Sequence, residues 1–195
     1  MKKSQSGLQA GNVNIINCLA MRRTALTNEL YFVTLTLIDW VDLFSRLIYK
    51  EYLAENIIKC QREKGLELYK YVFMSNHIHF IGSINTSKTM SDFLRDFKSY
   101  TSKGLYEIVK HEPTESRRKW LIKMFETAGS LNADNKKIQL WQKGSYPVLL
   151  SDNEIIDQKS NYIEMNPVRA GMVEYPEHYI YSSACEISPI KCLHY

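Results

Sequence analysis

The stretch Leu66–Phe80, "LELYKYVFMSNHIHF", decides how this chain reads. Its first part, Leu66–Met74, is rich in aromatic and β-forming residues, and the polar pair Ser75-Asn76 separates it from "HIHFIGSI", which runs to Ile84. Two such runs around a two-residue break predict a β-hairpin. Alternate side chains of a strand share a face, so His77 and His79 point one way and Ile78 the other. Two of the chain's five histidines therefore stand side by side on a sheet. Neutral imidazoles so placed present two lone pairs to a divalent ion. The same spacing also suits two half-exposed histidines on an ordinary amphipathic strand.

Outward from the hairpin, "LYFVTLTL" (Leu30–Leu37) reads as another strand. Residues 46–64 carry Leu47, Ile48, Tyr49, Leu53, Ile57 and Ile58 at helical spacing, with Gly65 as the stop. A second helix is predicted from Met90 to about Val109 on Phe93, Leu94, Phe97 and Leu105, and a third within "TESRRKWLIKMFETAG", ending near Gly129. "IQLW" and "YPVLL" flank "QKGS" and predict a short hairpin. Ser151 with Glu154 three residues on fits a capping box, launching a helix that Pro167 stops at Asn166. The order strand, helix, strand, strand, helix predicts an α+β fold, an antiparallel sheet with helices packed on one face.

The composition suits one soluble globular domain: 195 residues, 45% hydrophobic and 24% charged. No apolar run follows the N-terminal lysines, so no signal peptide is expected, and no stretch approaches the length of a membrane span. Cys18, Cys60, Cys185 and Cys192 form no CxxC pair and read as reduced thiols of a cytoplasmic protein. The net charge is +4, and residues 88–123, with nine Lys/Arg against five Asp/Glu, carry the whole excess. That stretch is either a solvated helix face or a track for phosphates.

A second cluster lies in "DQKSNYIEMNPVRAGMVEYPEHYIYSS", residues 157–183. Gln158, Tyr162 and Asn166 are spaced four apart and fall on one side of a helix. A tyrosine bracketed by amides is consistent with a nucleophile beside oxygen ligands for a metal. Tyr162 also shares a stripe with Ile155, where it would merely cap the core. Zinc-helix motifs and Cys/His ladders are missing from the sequence.

Taken together these stretches resemble a known family. "VFMSNHIHFIG" resembles the histidine–hydrophobe–histidine strand of the HUH single-strand nucleases. "LWQKGSYPVLLSDNEIIDQKSNYIEMNPVRAGMVEYPEHYIYSSA" is similar to the C-terminal block of one branch, the REP-associated tyrosine transposases, through Tyr162-Ile163, Asn166-Pro167, Ala170-Gly171 and Ser182-Ser183. "YFVTLTLIDWVDLF" and "FLRDFKSYTSK" resemble the family's first strand and basic helix. The similarity spans Leu30 to Ala184 in the expected order. Ser75 stands where many members carry proline, and Tyr181 where many carry tryptophan.

The resemblance implies a ferredoxin-like domain over residues 28–184, with an N-terminal extension, 1–27, and a C-terminal tail, 185–195. It implies a metal-dependent transposase that nicks and joins single-stranded or hairpin DNA through a covalent 5′-phosphotyrosine, in a nucleoid-associated, cytoplasmic setting. His77 and His79 would bind Mg²⁺ or Mn²⁺, Tyr162 would be the nucleophile, and Asn166, or in its place Gln158, would complete the metal site. Arg95, Lys98, Lys103, Arg117, Arg118, Lys119 and Arg169 are the expected phosphate contacts, giving salt-sensitive binding. Tyr100, Trp120 and Trp141 are expected to stack on bases or to pack in the core. Tyr100 is also the rival nucleophile. The resemblance accommodates homodimers and monomers alike. The alternatives are a non-catalytic hairpin-binding protein on the same fold and a metal-dependent nucleic-acid hydrolase without a covalent step.

Overall fold

The computed structural model describes residues 29–132 and 137–194; the extension expected over 1–27 and Cys18 lie outside them. Four strands form one antiparallel sheet: β1 (Tyr31–Thr36), β2 (Leu66–Phe73), β3 (His77–Ile84) and β4 (Val148–Leu149), in the order β2-β3-β1-β4. Between them run α1 (Leu47–Glu63), α2 (Met90–His111) and α3 (Arg118–Ser130), followed by α4 (Asn153–Glu164) and the single turn α5 (Asn166–Arg169). The fold is α+β, with the strand order of a ferredoxin-like sheet.

The alternation of β1 and β3 divides the molecule into two layers. Val33, Leu35, Ile78 and Phe80 enter the larger core, where Leu53 and Ile57 of α1, Phe93, Phe97 and Leu105 of α2, and Leu121 and Phe125 of α3 meet them. Phe32, Val72 and Ile81 face the other way and pack with Ile155, Ile156 and Ile163 of α4. Helices thus cover both faces, not one as expected. On that second face Phe32, Val72 and Ile81 are apolar and need cover of their own, which the stripe on α4 supplies.

The β2–β3 hairpin forms as read, with register Val72↔His79 and Phe73↔Ile78. Its break is tied down from outside: Leu37 N–H donates to the Asn76 carbonyl at 2.9 Å and Phe44 N–H to that of Ser75 at 2.8 Å. A Cβ on Gly82 would stand 2.6 Å from the Glu67 carbonyl oxygen, so this β3 position requires glycine where the irregular part of β2 crosses it.

The hairpin expected around "QKGS" does not form. Leu37 bridges Trp141, and Phe32 and Tyr31 pair with Val148 and Leu149. Both segments therefore follow one another along the free edge of β1, with Gly144 at φ +79 turning the chain between them. Unpaired N–H and C=O groups of an edge strand are the better partner for two short segments. The other edge is closed by the residues after Ala184 and those just before. Phe73 N–H donates to Tyr181 O, Ser183 N–H to Tyr71 O and Leu193 N–H to Leu68 O. Residues expected as a tail are thus part of the fold, with Cys185 and Ile190 buried. Among the described residues Cys60, Cys185 and Cys192 are free thiols, and no helix is long and apolar enough to cross a membrane.

Candidate active site

His77 and His79 lie on the α4 face of β3, opposite Thr36 and Thr34 of β1. Their ring centroids are 4.7 Å apart, the planes inclined by 72°. Each Nδ1 is engaged: that of His79 with Thr34 Oγ1 at 2.8 Å, and that of His77 with Asn76 Oδ1 at 2.6 Å. The Asn76 amide nitrogen in turn donates to the Trp40 carbonyl at 3.2 Å. Asn76 Oδ1 only accepts, so His77 Nδ1 carries the proton and Nε2 the lone pair; Thr34 Oγ1 can accept from His79 Nδ1 in the same way, the arrangement that outer hydrogen bonds impose on metal-binding histidines.

Both rings are held neutral. Burial pushes the His77 imidazole below its ordinary range, and burial, then His77 itself and Lys159, push His79 down to about 3. Desolvation disfavours the charged ring, and a neutral ring is the form that ligates. The donor set therefore fits a divalent cation through two imidazoles. Among the described residues no third His, Cys, Asp or Glu joins the pair, so oxygen donors of another kind would have to complete it.

α4 brings Tyr162 to this pair. The helix starts where Asp152 accepts from Ile155 N–H at 2.9 Å, one residue later than the expected cap at Ser151. Its inner stripe then seats Ile155, Ile156 and Ile163 on the sheet. Tyr162 sits at the margin of that stripe, 37% exposed, its ring 5.2 Å from that of His79 and 6.1 Å from that of Phe32. The two readings of Tyr162 meet here: it borders the smaller core and its ring lies edge-on to that of His79.

Two cations flank the phenol ring. Lys159 Nζ lies 5.0 Å from the Phe32 centroid and 6.0 Å from that of Tyr162, and the Arg169 guanidinium lies 5.7 Å from Tyr162. No carboxylate of the described residues pairs with Lys159. Sequence reasoning missed Lys159 and Thr34. A register count gives Lys159 away, because it lies three residues before Tyr162 and on the side of Ile155 and Ile163. Gln158 is exposed and Asn166, at the start of α5, is half-buried.

The remaining expected contacts separate into groups. Tyr100, 56% exposed, belongs to α2 on the opposite side of the sheet, with Lys59 of α1 over its ring at 5.8 Å. Arg95, Lys98 and Lys103 share an open groove of about 930 Å³ between α2 and residues 137–146, where Lys137 and Lys143 add charge and, among the described residues, Asp96 is the one carboxylate lining it; Arg95 is paired with Asp92 at 2.8 Å and with Asp96 at 3.2 Å. Its wall adjoins the site: Gln142 N–H donates to Thr36 O at 2.8 Å, and Thr36 is the cross-strand neighbour of His77. Trp141 is buried and donates to Thr101.

Arg117 is engaged in the fold, at 2.7 Å from Asp42 and 3.0 Å from Glu115. Burial opposes the Glu115 charge, but hydrogen bonds from Arg117 and from Tyr49 outweigh it and hold the carboxyl down at about 2. Arg118 donates to the Glu112 carbonyl, while Lys119 and Trp120 are exposed.

Comparison with known proteins agrees with this architecture. A family model described as "Transposase IS200 like" matches residues 10–125. Among solved structures, one described as a REP-associated tyrosine transposase bound to a REP hairpin is similar in fold, with a TM-score of 0.56 and 19% identity, covering 83% of this chain and 80% of that one. No curated protein sequence matches.

Proposed function

The chain belongs to the family of IS200-like transposases, and on that premise we propose that it is a single-strand DNA nicking and joining enzyme with Tyr162 as nucleophile. The observation that carries this reading is the Tyr162 ring 5.2 Å from His79 on the histidine-pair strand. In the reaction the Tyr162 hydroxyl oxygen bonds to a backbone phosphorus and the bond from phosphorus to the 3′ oxygen breaks. The phenolic proton passes, in net, to that oxygen. The products are a 5′-phosphotyrosine and a free 3′-hydroxyl, and reversal onto another 3′-hydroxyl joins strands without spending the bond energy.

His77 and His79 would hold Mg²⁺ or Mn²⁺ through Nε2, with Asn166 or Gln158 as candidate further donors. When bound, the cation would supply charge neutralisation at the phosphate. Lys159 and Arg169 add fixed positive charge within about 6 Å of the phenol ring. A helix-borne nucleophile needs a backbone that can bend into line, which favours single-stranded or hairpin DNA over continuous duplex. The groove of Arg95, Lys98 and Lys103 is the natural path for the phosphates approaching His77, and Tyr100, on the far side of the sheet, is not the nucleophile.

The reading is tested by incubating the protein with end-labelled hairpin DNA and Mn²⁺ and resolving the products on a denaturing gel. A DNA–protein band that survives denaturation is expected. Cleavage without that band would make the protein a hydrolase, and binding without cleavage a hairpin-binding protein.

A further inference from the structure

Trp40 is the largest side chain near the site that neither the packing nor the reaction uses. It is 60% exposed, and its ring stands 6.1 Å from that of His77, inclined by 74°. Large aromatics are ordinarily placed to bury area; this one borders a proposed ligand and faces solvent.

The backbone beneath it is strained. Asp39 and Trp40 have φ of +50 and +52, and consecutive non-glycine residues in the left-handed region are uncommon, for an aromatic especially. The turn is held by several bonds. Trp40 N–H donates to Leu37 O at 3.2 Å, Val41 N–H to Ile38 O at 3.2 Å, and the Asn76 amide to Trp40 O. Asn76 also fixes His77, so one side chain sets both the indole's turn and the imidazole. Strain that the surroundings maintain in this way concentrates at functional sites.

We propose that Trp40 is a stacking platform for a base of single-stranded DNA on the His77 side of the site. This rests on the reading of the protein as a DNA-processing enzyme but not on the covalent step. A base there must be unpaired to expose its face to the indole, so the contact selects single strand over duplex.

The test uses the full chain carrying Tyr162→Phe, in EDTA, so that binding is read without chemistry. Short single-stranded DNA and its duplex are titrated while tryptophan fluorescence is followed. Quenching by the single strand is expected. Trp40→Ala should lose most of that quenching and weaken single-strand affinity by roughly 5- to 150-fold, with duplex affinity unchanged. Trp40→Phe should recover part of the affinity. Trp40→Gly separates a binding role from a structural one, because glycine relieves the positive φ: its Tm should match or exceed the parent's while single-strand affinity falls. Unchanged affinity in Trp40→Ala, an equal loss for duplex, a Tm that drops in Trp40→Gly, or no quenching in the parent would each overturn the proposal. Quenching that depends on Trp40 in a protein that never forms a covalent band would leave the stack in place and remove the transferase reading.

Discussion

The ring of Tyr162 stands edge-on to the imidazole of His79, centroids 5.2 Å apart and planes inclined by 73°. One residue comes from α4 and the other from β3, so the contact exists only because α4 crosses the face of the sheet that the other helices leave open. Phe32 completes the arrangement, stacked on His79 at 5.4 Å.

Replacing Tyr162 by Phe keeps the ring contacts and removes the hydroxyl. The covalent band should disappear while hairpin affinity, measured by gel shift, stays within about fivefold, since one exposed hydroxyl contributes about 1 kcal/mol or less. Tyr100→Phe should leave the covalent band intact, because α2 lies across the sheet from the histidines. The reverse pattern would reassign the nucleophile.

His77→Ala and His79→Ala should each abolish metal-dependent nicking, and EDTA should do the same to the parent protein. Thr34→Val removes the hydroxyl at His79 Nδ1 and should weaken Mn²⁺ binding by about 10- to 100-fold in a calorimetric titration. Full nicking by either alanine variant in EDTA would leave the pair with no part in the reaction.

The depressed His79 pKa has a thermodynamic sign. Its folded value, about 3, lies below the unfolded value of about 6.5, so the unfolded chain binds the proton first. The stability linked to neutral His79 is complete above about pH 6.5 and is lost as pH falls toward 3. Urea unfolding of metal-free protein between pH 6.5 and 5, before carboxylates such as Glu115 titrate, should show stability falling with pH by up to about 1.4 kcal/mol per unit for each such histidine. In His79→Gln the slope should shrink. An identical slope would mean that the ring is protonated in the folded protein.

Lys159→Met keeps an apolar stem against Phe32 and removes the charge. The rate of covalent-band formation at saturating DNA should fall by roughly tenfold or more, and Lys159→Arg should restore most of it. An unchanged rate in Lys159→Met would confine the lysine to packing.

Much of this was legible in the sequence because it rests on local rules. Strand alternation put His77 and His79 on one face, and the helical repeat put Tyr162 at the edge of the Ile155–Ile163 stripe. What local rules do not carry is which face of the sheet a helix covers. That was decided by Phe32, Val72 and Ile81, whose need for cover brings in α4, and it is what separates Tyr162 from Tyr100. The segments around "QKGS" misread for a related reason: their partner is the distant edge of β1. Arg117 looked like a phosphate contact because its partners, Asp42 and Glu115, become neighbours only through the fold. Lys159 was hidden among surface lysines until Phe32 came beneath it.

The most direct test of the central claim is to digest the covalent DNA–protein product and locate the modified peptide by mass spectrometry. A nucleotide phosphate attached at Tyr162 is the predicted result. Attachment at Tyr100 or at any other residue, in a protein whose histidine pair is intact and metal-loaded, would contradict it.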